Sequence, residues 1–353
     1  MKKCHIAYLA CAAAVAGTGL GAAAPAAAHT IHMVRPGESI QKAVDAAAPG
    51  DTVLVSSGTY HESVRVTTSG LTLRGMGRNT VIRPGTDPNA NACAKEGNGI
   101  CVIGAKNRNL EGVTVASLTV TGFRGSGVFS MATDGLTVRN VTAEKNGVWG
   151  IAQELSVRGV FRGNTARNNG DAGIFVANAI KVEEGAAGTM GTVVRGNRLE
   201  GNRIGVTVRR LRNLTVSSND VTGNCAGVFL VGDENKPKGG DLTVRDNRVV
   251  QNNKFCPKTA RLPFLQGSGI VLTGVEDTLV TRNVIADNAG ASPLSGGVVL
   301  FKSMVGAANE RNRISGNLLR GNAPADLVNG DTTVQSNTFA GNYCAASKPA
   351  GLC

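Results

Sequence analysis

One pattern limits what this 353-residue chain can fold into more than any other: an asparagine that returns five or six residues after another, unit after unit. The leading members are Asn140, Asn164, Asn197, Asn219, Asn247, Asn283, Asn317 and Asn337. Their trailing partners are Asn146, Asn169, Asn202, Asn224, Asn252, Asn288, Asn322 and Asn342. Self-similarity at intervals of 20 to 36 residues means a solenoid, in which each unit buries its apolar side only against its neighbours.

Superimposed, the units share one order. A Gly-initiated apolar segment comes first, as at Gly173-Ile174, Gly205-Val206 and Gly227-Val228. After a variable turn comes a segment such as Leu136-Thr137-Val138 or Leu214-Thr215-Val216, then an asparagine, a third short segment and the second asparagine. Segments this short, alternating with period two between Asn and Gly, are strands and not helices. Three parallel strands per unit predict an all-β, single-stranded parallel β-helix of about ten coils, roughly 50 Å long at the spacing of neighbouring strands. The asparagines are expected to be structural. Asn tolerates a left-handed bend and bonds its own turn, and stacked amides can bond one another between coils. The glycines at the next corner are expected to supply positive φ.

Solenoid ends need covers. Ile40, Ala43, Val44 and Ala47 share one helical face within Glu38 to Ala48, and Pro49-Gly50 stops that helix. Residues 29–60 are therefore read as the amino-terminal cap of a single domain spanning 29–353, and 343–353 as a disulfide-closed tail. Residues 1–28 read as a secretory signal peptide: Lys2 and Lys3, an apolar stretch from Ile6 to Gly21, and Ala26-Ala27-Ala28. Cys11 follows a poor lipobox, and no later stretch is long enough for a transmembrane anchor. The chain is thus expected to be secreted. Cys93, Cys101, Cys225, Cys256, Cys344 and Cys353 remain, an even number that implies disulfides, and proximity favours pairing each with its nearest neighbour. Without Lys2 and Lys3 the chain keeps 35 of its 37 Lys and Arg against 25 Asp and Glu, a net +10. Between Arg195 and Arg261 there are 13 basic and 6 acidic residues, a field that favours polyanionic partners or simply keeps the surface solvated.

Val34-Arg35-Pro36-Gly37-Glu38-Ser39-Ile40-Gln41, then Pro49-Gly50-Asp51-Thr52-Val53 and Gly58-Thr59-Tyr60, resemble the opening of pectin-lyase-like right-handed β-helix proteins. The Asn-x4-Asn-x2-Gly pattern is similar to their parallel β-helix repeats, over nearly the whole chain after the leader. The resemblance implies the fold and not one activity, because that superfamily holds lyases, hydrolases, esterases, epimerases, adhesins and non-enzymatic periplasmic proteins. Its hydrolases and epimerases carry Asp pairs, or Asp with His, on an outer strand face. Here the outward positions of the Gly-initiated strands are Phe129, Phe175, Thr207, Phe229, Val271 and Val299, with Met131, Val231 and Phe301 two residues on. Such a face lacks the paired carboxyls of glycoside hydrolysis.

Phe129, Phe175 and Phe229 are open to three readings. They form a platform for sugar rings, they lie under the insertion carrying Phe255, Pro263, Phe264 and Leu265, or another subunit covers them. Counting from each strand's Gly also aligns Arg210 and Arg212 with Asp233 and Glu234, and these with Glu276 and Asp277, on three successive coils. Converging carboxylates are what a Ca²⁺ site needs, and Ca²⁺ is the one cofactor this corner implies. Beside such a metal Arg210 or Lys236 is the candidate base, with Lys238 nearby, an arrangement that resembles the uronate lyases of this fold. Both readings compete with that of an ordinary polar turn. His29-Thr30-Ile31-His32, with His61, poses a further question of copper chelation.

Two functions follow. The first is an exported, non-catalytic β-helix that binds an anionic extracellular or cell-wall polysaccharide through Arg209, Arg210, Arg212 and the three phenylalanines. The second is a polysaccharide lyase acting on uronic-acid polymers. Nucleic acid is not an expected partner, because basic and aromatic residues are not interleaved.

Overall fold

The computed structural model describes residues 29–353 apart from Lys106 and Thr333, so the expected leader, residues 1–28, lies outside the described residues. Short strands stack in register on their equivalents one coil away and build three long parallel sheets. The first has twelve strands, from Ile31–Val34 to Thr338–Ala340. The second has ten, from Gly58–His61 to Leu318–Arg320, and the third has eleven, from Val64–Val66 to Ser347–Lys348. These counts agree with the expected ten or so coils of a parallel β-helix.

Alternation decides which side chains point inward. Val128, Ile151, Ile174, Val206, Val228, Ile270 and Val298 occupy one register column of the third sheet and are all fully buried. Each contributes about 1.5–3 kcal/mol by leaving water. The glycine before each inward residue is required by space, not by positive φ as the sequence led us to expect. A Cβ on Gly205 would stand 2.6 Å from the Gly227 carbonyl oxygen, and one on Gly227 the same distance from that of Gly269.

Amides run the length of the corners. Asn164 Nδ2 donates to Asn197 Oδ1 at 3.0 Å, and the series continues through Asn219, Asn247, Asn283 and Asn317 to Asn342. A second series runs from Asn146 through Asn169, Asn202, Asn224, Asn252 and Asn288 to Asn322. In each link the backbone N–H donates to the same oxygen, and Nδ2 also reaches a carbonyl one coil back, as Asn219 does to Val194. Buried amides satisfied in this way make no demand on water.

Three assignments change. Asn140 stands outside the first series, with φ of 53°, and the next residue's N–H donates to Asn164. Asn337 pairs with Asn312 in a separate short series, and Asn342 closes the first series, not the second. The left-handed residue is the one preceding the ladder asparagine, as at Ser218, Asp246 and Arg282.

The amino-terminal helix is Ile40–Ala46, shorter than the expected Glu38 to Ala48, with Ile40 and Val44 buried. Ser39 caps it, and the Glu62 carboxylate accepts from the Ile40 and Gln41 N–H groups. Within the expected cap 29–60, Ile31–Val34 and Thr52–Val55 already belong to the first sheet, so the lid is the helix alone. At the other end Ser347–Lys348 pairs with Leu327–Asn329 and extends the third sheet. Disulfides join Cys93 to Cys101, Cys225 to Cys256 and Cys344 to Cys353. Among the described residues no helix is long and apolar enough to cross a membrane.

Candidate functional site

The outer face of the third sheet carries the molecule's apolar groove. Strand register sets Phe129, Ala152, Phe175, Thr207, Phe229, Val271 and Val299 in one outward column. Beside it run Met131, Glu154, Ala177, Arg209, Val231, Thr273 and Phe301. The sequence placed these positions correctly. It also offered a choice between cover and open platform, and the structure divides the face between them. Leu265 and Leu294, on segments beyond the strands, are buried in one apolar cluster with Phe175, Phe229, Val271 and Val299. The Cys225–Cys256 bridge fixes the base of the covering segment. Phe255 is not part of the cover: it is 59% exposed and faces Phe264 at 5.8 Å.

Beside this cover a groove of about 520 Å³ stays open, with Phe175, Thr207 and Phe229 at its floor. Phe301, Met304 and Val305 line it, the last two well exposed. Trp149, the chain's only tryptophan, also lines it, stacked on Phe175 at 4.4 Å with 14° between the ring planes. Its indole Nε1 donates to Asp171 Oδ2 at 3.0 Å. Burial pushes the Asp171 carboxyl above the usual range, opposed by that indole bond and by the charge of Arg203. Arg203 is itself buried, bonds the Pro257 carbonyl of the covering segment, and leaves Nη2 without a protein partner. Thr207 Oγ1 is likewise buried without a partner. Sequence reasoning missed Trp149 and Asp171. The available signal was a lone tryptophan between Val148 and Gly150, immediately before a Gly-initiated strand.

Basic groups stand at the rim. Arg209 lines the groove with Arg261; burial, and then the charges of Arg210 and Arg261, lower its pKa. Arg210 and Arg212 leave the groove for the corner behind it, and here the expected constellation is corrected. Residues 232–239 bulge out as a loop, so Arg212 pairs in register with Gly240 and not with Glu234. Arg210 is 1% exposed, its Nη1 2.8 Å from Glu183 and 3.3 Å from Asp233, which leaves it no freedom to act as a base. Arg212 bonds Glu276 at 2.7 Å, and Arg311 bonds Glu276 and Asp277. Lys238 is buried against Glu310 at 3.0 Å. The Arg311 hydrogen bonds hold Asp277 below the usual carboxylate range. Lys236, the other candidate base, is exposed on the bulged loop.

Asp233, Glu234, Glu276 and Asp277 therefore do not converge on a cation. Asp233 faces Arg210, and Glu276 and Asp277 face Arg212 and Arg311. Among the described residues no group of three or more His, Cys, Asp or Glu is placed to share a metal. The histidines are apart too, His32 bonding Asp51 at 2.9 Å and His61 facing the Pro84 carbonyl at 3.3 Å.

The family described as "Right handed beta helix region" matches residues 65–249, just over half of the chain. The chain belongs to that right-handed β-helix family. "Periplasmic copper-binding protein (NosD)" matches residues 179–349. That segment contains no histidine, its three cysteines are held in disulfides, and the soft donors left in it are the exposed Met190 and Met304. No curated protein matches the chain. Among solved structures it is similar to the A-module of mannuronan C-5 epimerase AlgE4 from Azotobacter vinelandii. That match has 20% identity, covers 88% of this chain and 91% of that one, and has a TM-score of 0.59. It is also similar to an alginate lyase from Paenibacillus sp. str. FPU-7, at 14% identity over 90% of this chain and 99% of that one, with a TM-score of 0.59. At such identities the likeness is one of fold.

Proposed function

We propose that this exported β-helix binds an acidic polysaccharide in the groove of its third sheet. The observation that carries the reading is the Trp149–Phe175 stack standing over a floor that also holds Thr207, with Arg209 and Arg261 at the rim. A pyranose ring has an apolar face for such a stack and, in a uronate, a carboxylate for the arginines. Two of the similar structures, a mannuronan epimerase and an alginate lyase, are of proteins acting on polymers of this class. The three disulfides support an oxidising compartment. Calorimetry with short uronate oligomers tests the reading. Trp149→Ala is expected to weaken binding about tenfold, a loss of about 1.4 kcal/mol. No binding by the unaltered chain, or full binding by Trp149→Ala, overturns it.

A second reading draws on Asp171 alone. A half-buried carboxyl with a raised pKa, held by the Trp149 indole inside the groove, has the properties of a proton donor or acceptor for elimination or epimerisation. Unsaturated products released from a polyuronate, and lost in Asp171→Asn, establish an enzyme. A chain that binds the polymer and leaves it unchanged is the binding protein of the first reading.

A further inference from the structure

The outer face of the first sheet bears a different feature. Register places Arg74, Ala116, Arg139, Arg162, Arg195, Ser217 and Arg245 in one outward column. Arg139, Arg162 and Arg195 are direct neighbours on three consecutive strands, about 4.8 Å apart at the spacing of paired strands. Like charges set opposite one another destabilise a sheet. The fold elsewhere removes that cost. On the second sheet Glu144, Arg167 and Glu200 alternate in register, with Arg167 bonded to Glu144 at 2.6 Å. Arg248 meets Asp220 and Arg282 meets Asp246. Farther along the arginine column itself, Arg245 has Asp246. Among the described residues, Arg139, Arg162 and Arg195 have neither an ion pair nor a side-chain hydrogen bond. Arg162 and Arg195 are exposed and Arg139 partly so.

We propose that this column is a docking track for a linear polyanionic glycan, carboxylated or sulfated, laid along the helix axis. An extended polymer with a charge on each sugar offers anions in a row, as the coils offer guanidinium groups in a row. Each guanidinium can take a carboxylate or sulfate through two parallel N–H donors. The neighbouring outward column supplies hydroxyls at Thr72, Thr114, Thr137 and Thr215, with Val160 and Val193 between the last two, beside Arg162 and Arg195. No aromatic side chain stands among the outward positions of these strands between Thr72 and Ser217, so nothing there stacks a nucleic-acid base. The track lies on a different sheet from the Trp149 groove and does not depend on that reading.

The test is retention of the full exported chain on immobilised polygalacturonate, heparin and single-stranded DNA across a salt gradient. The triple variant R139Q/R162Q/R195Q is expected to lose about tenfold in apparent affinity for both glycans at low salt, with a shallower dependence on salt. The charge-matched variant R167Q/R198Q/R248Q, whose arginines have carboxylate partners, is expected to keep most of its retention. A single R162E at the middle of the column gives an independent reading in the same direction. The thermal midpoint of the triple variant is expected to stay level or rise, since mutual repulsion is relieved. Four results overturn the proposal: an unchanged triple variant, an equal loss in the charge-matched variant, tighter retention on DNA than on either glycan, or loss confined to Trp149→Ala. Preference between polygalacturonate and heparin tells carboxylate from sulfate.

Discussion

The corners between the first two sheets and the corner behind Arg209 solve one problem with opposite means. Both must satisfy polar groups taken out of water where the chain turns. The asparagine corners do it with one residue type repeated coil after coil, each amide giving its neighbour what it receives from the one before. The charged corner does it with unlike residues from positions that are not equivalent: Arg210 with Glu183 and Asp233, Arg212 and Arg311 with Glu276, Lys238 with Glu310. A repeated solution ties coil to coil from Asn164 to Asn342. A local solution shapes one place, and here that place stands beside the groove.

The sharpest way to break this comparison is to interrupt a ladder. Asn219→Ala removes two donors and an oxygen that accepts twice, all buried, and strands the Asn197 and Asn247 amides. Chemical denaturation is expected to show a loss of about 3 kcal/mol, from groups left unsatisfied at about 1–3 kcal/mol each. A loss below half that would mean the ladder is no more cooperative than a surface turn.

Arg210→Met asks the same of the charged corner. The Asp233 carboxylate loses a buried partner, while Glu183 remains largely exposed and resolvates, so the expected cost is lower, about 2 kcal/mol by the same measurement. Equal costs at Asn219 and Arg210 would erase the distinction.

A smaller effect comes from the amino-terminal cap, where a third device operates. The His32 hydrogen bond, with backbone N–H groups of Thr30 and Ala48, lowers the Asp51 carboxyl to about 2. A carboxyl depressed on folding contributes stability that is present above its unfolded pKa, near 3.9, and lost as pH falls toward the folded value. The thermal midpoint is therefore expected to fall between about pH 4 and pH 2, and Asp51→Asn to flatten that part of the profile. An unchanged slope in the variant would assign acid sensitivity to the carboxylates of the charged corner.

The same contrast explains which features are legible in the sequence and which are not. Asn197, Asn219 and Asn247 announced themselves because a ladder needs the same residue at each coil, and the outward Phe175, Thr207 and Phe229 followed from alternation. Asn140 was misassigned because spacing alone does not tell a ladder residue from the left-handed residue beside the ladder position, and Asn337 because spacing does not tell one ladder from another. The charged corner failed for a related reason. Counting from each strand's glycine assumes that every coil has the same length, and the bulge at 232–239 shifts Glu234 away from Arg212. Trp149 and Asp171 come from neighbouring coils and meet only through packing, which no repeat encodes. The arginine column is the converse case: Arg139, Arg162 and Arg195 sit at equivalent positions, but unequal unit lengths hide the equivalence until the strands are paired.

The ladders have one more consequence, for how such a chain can change over generations. Because Asn219 presents to Asn247 the groups it takes from Asn197, duplicating or deleting one coil there restores every amide contact without a compensating change elsewhere. Length is thus free to drift, while the aromatic pocket, made once from unrepeated parts, is inherited whole or lost.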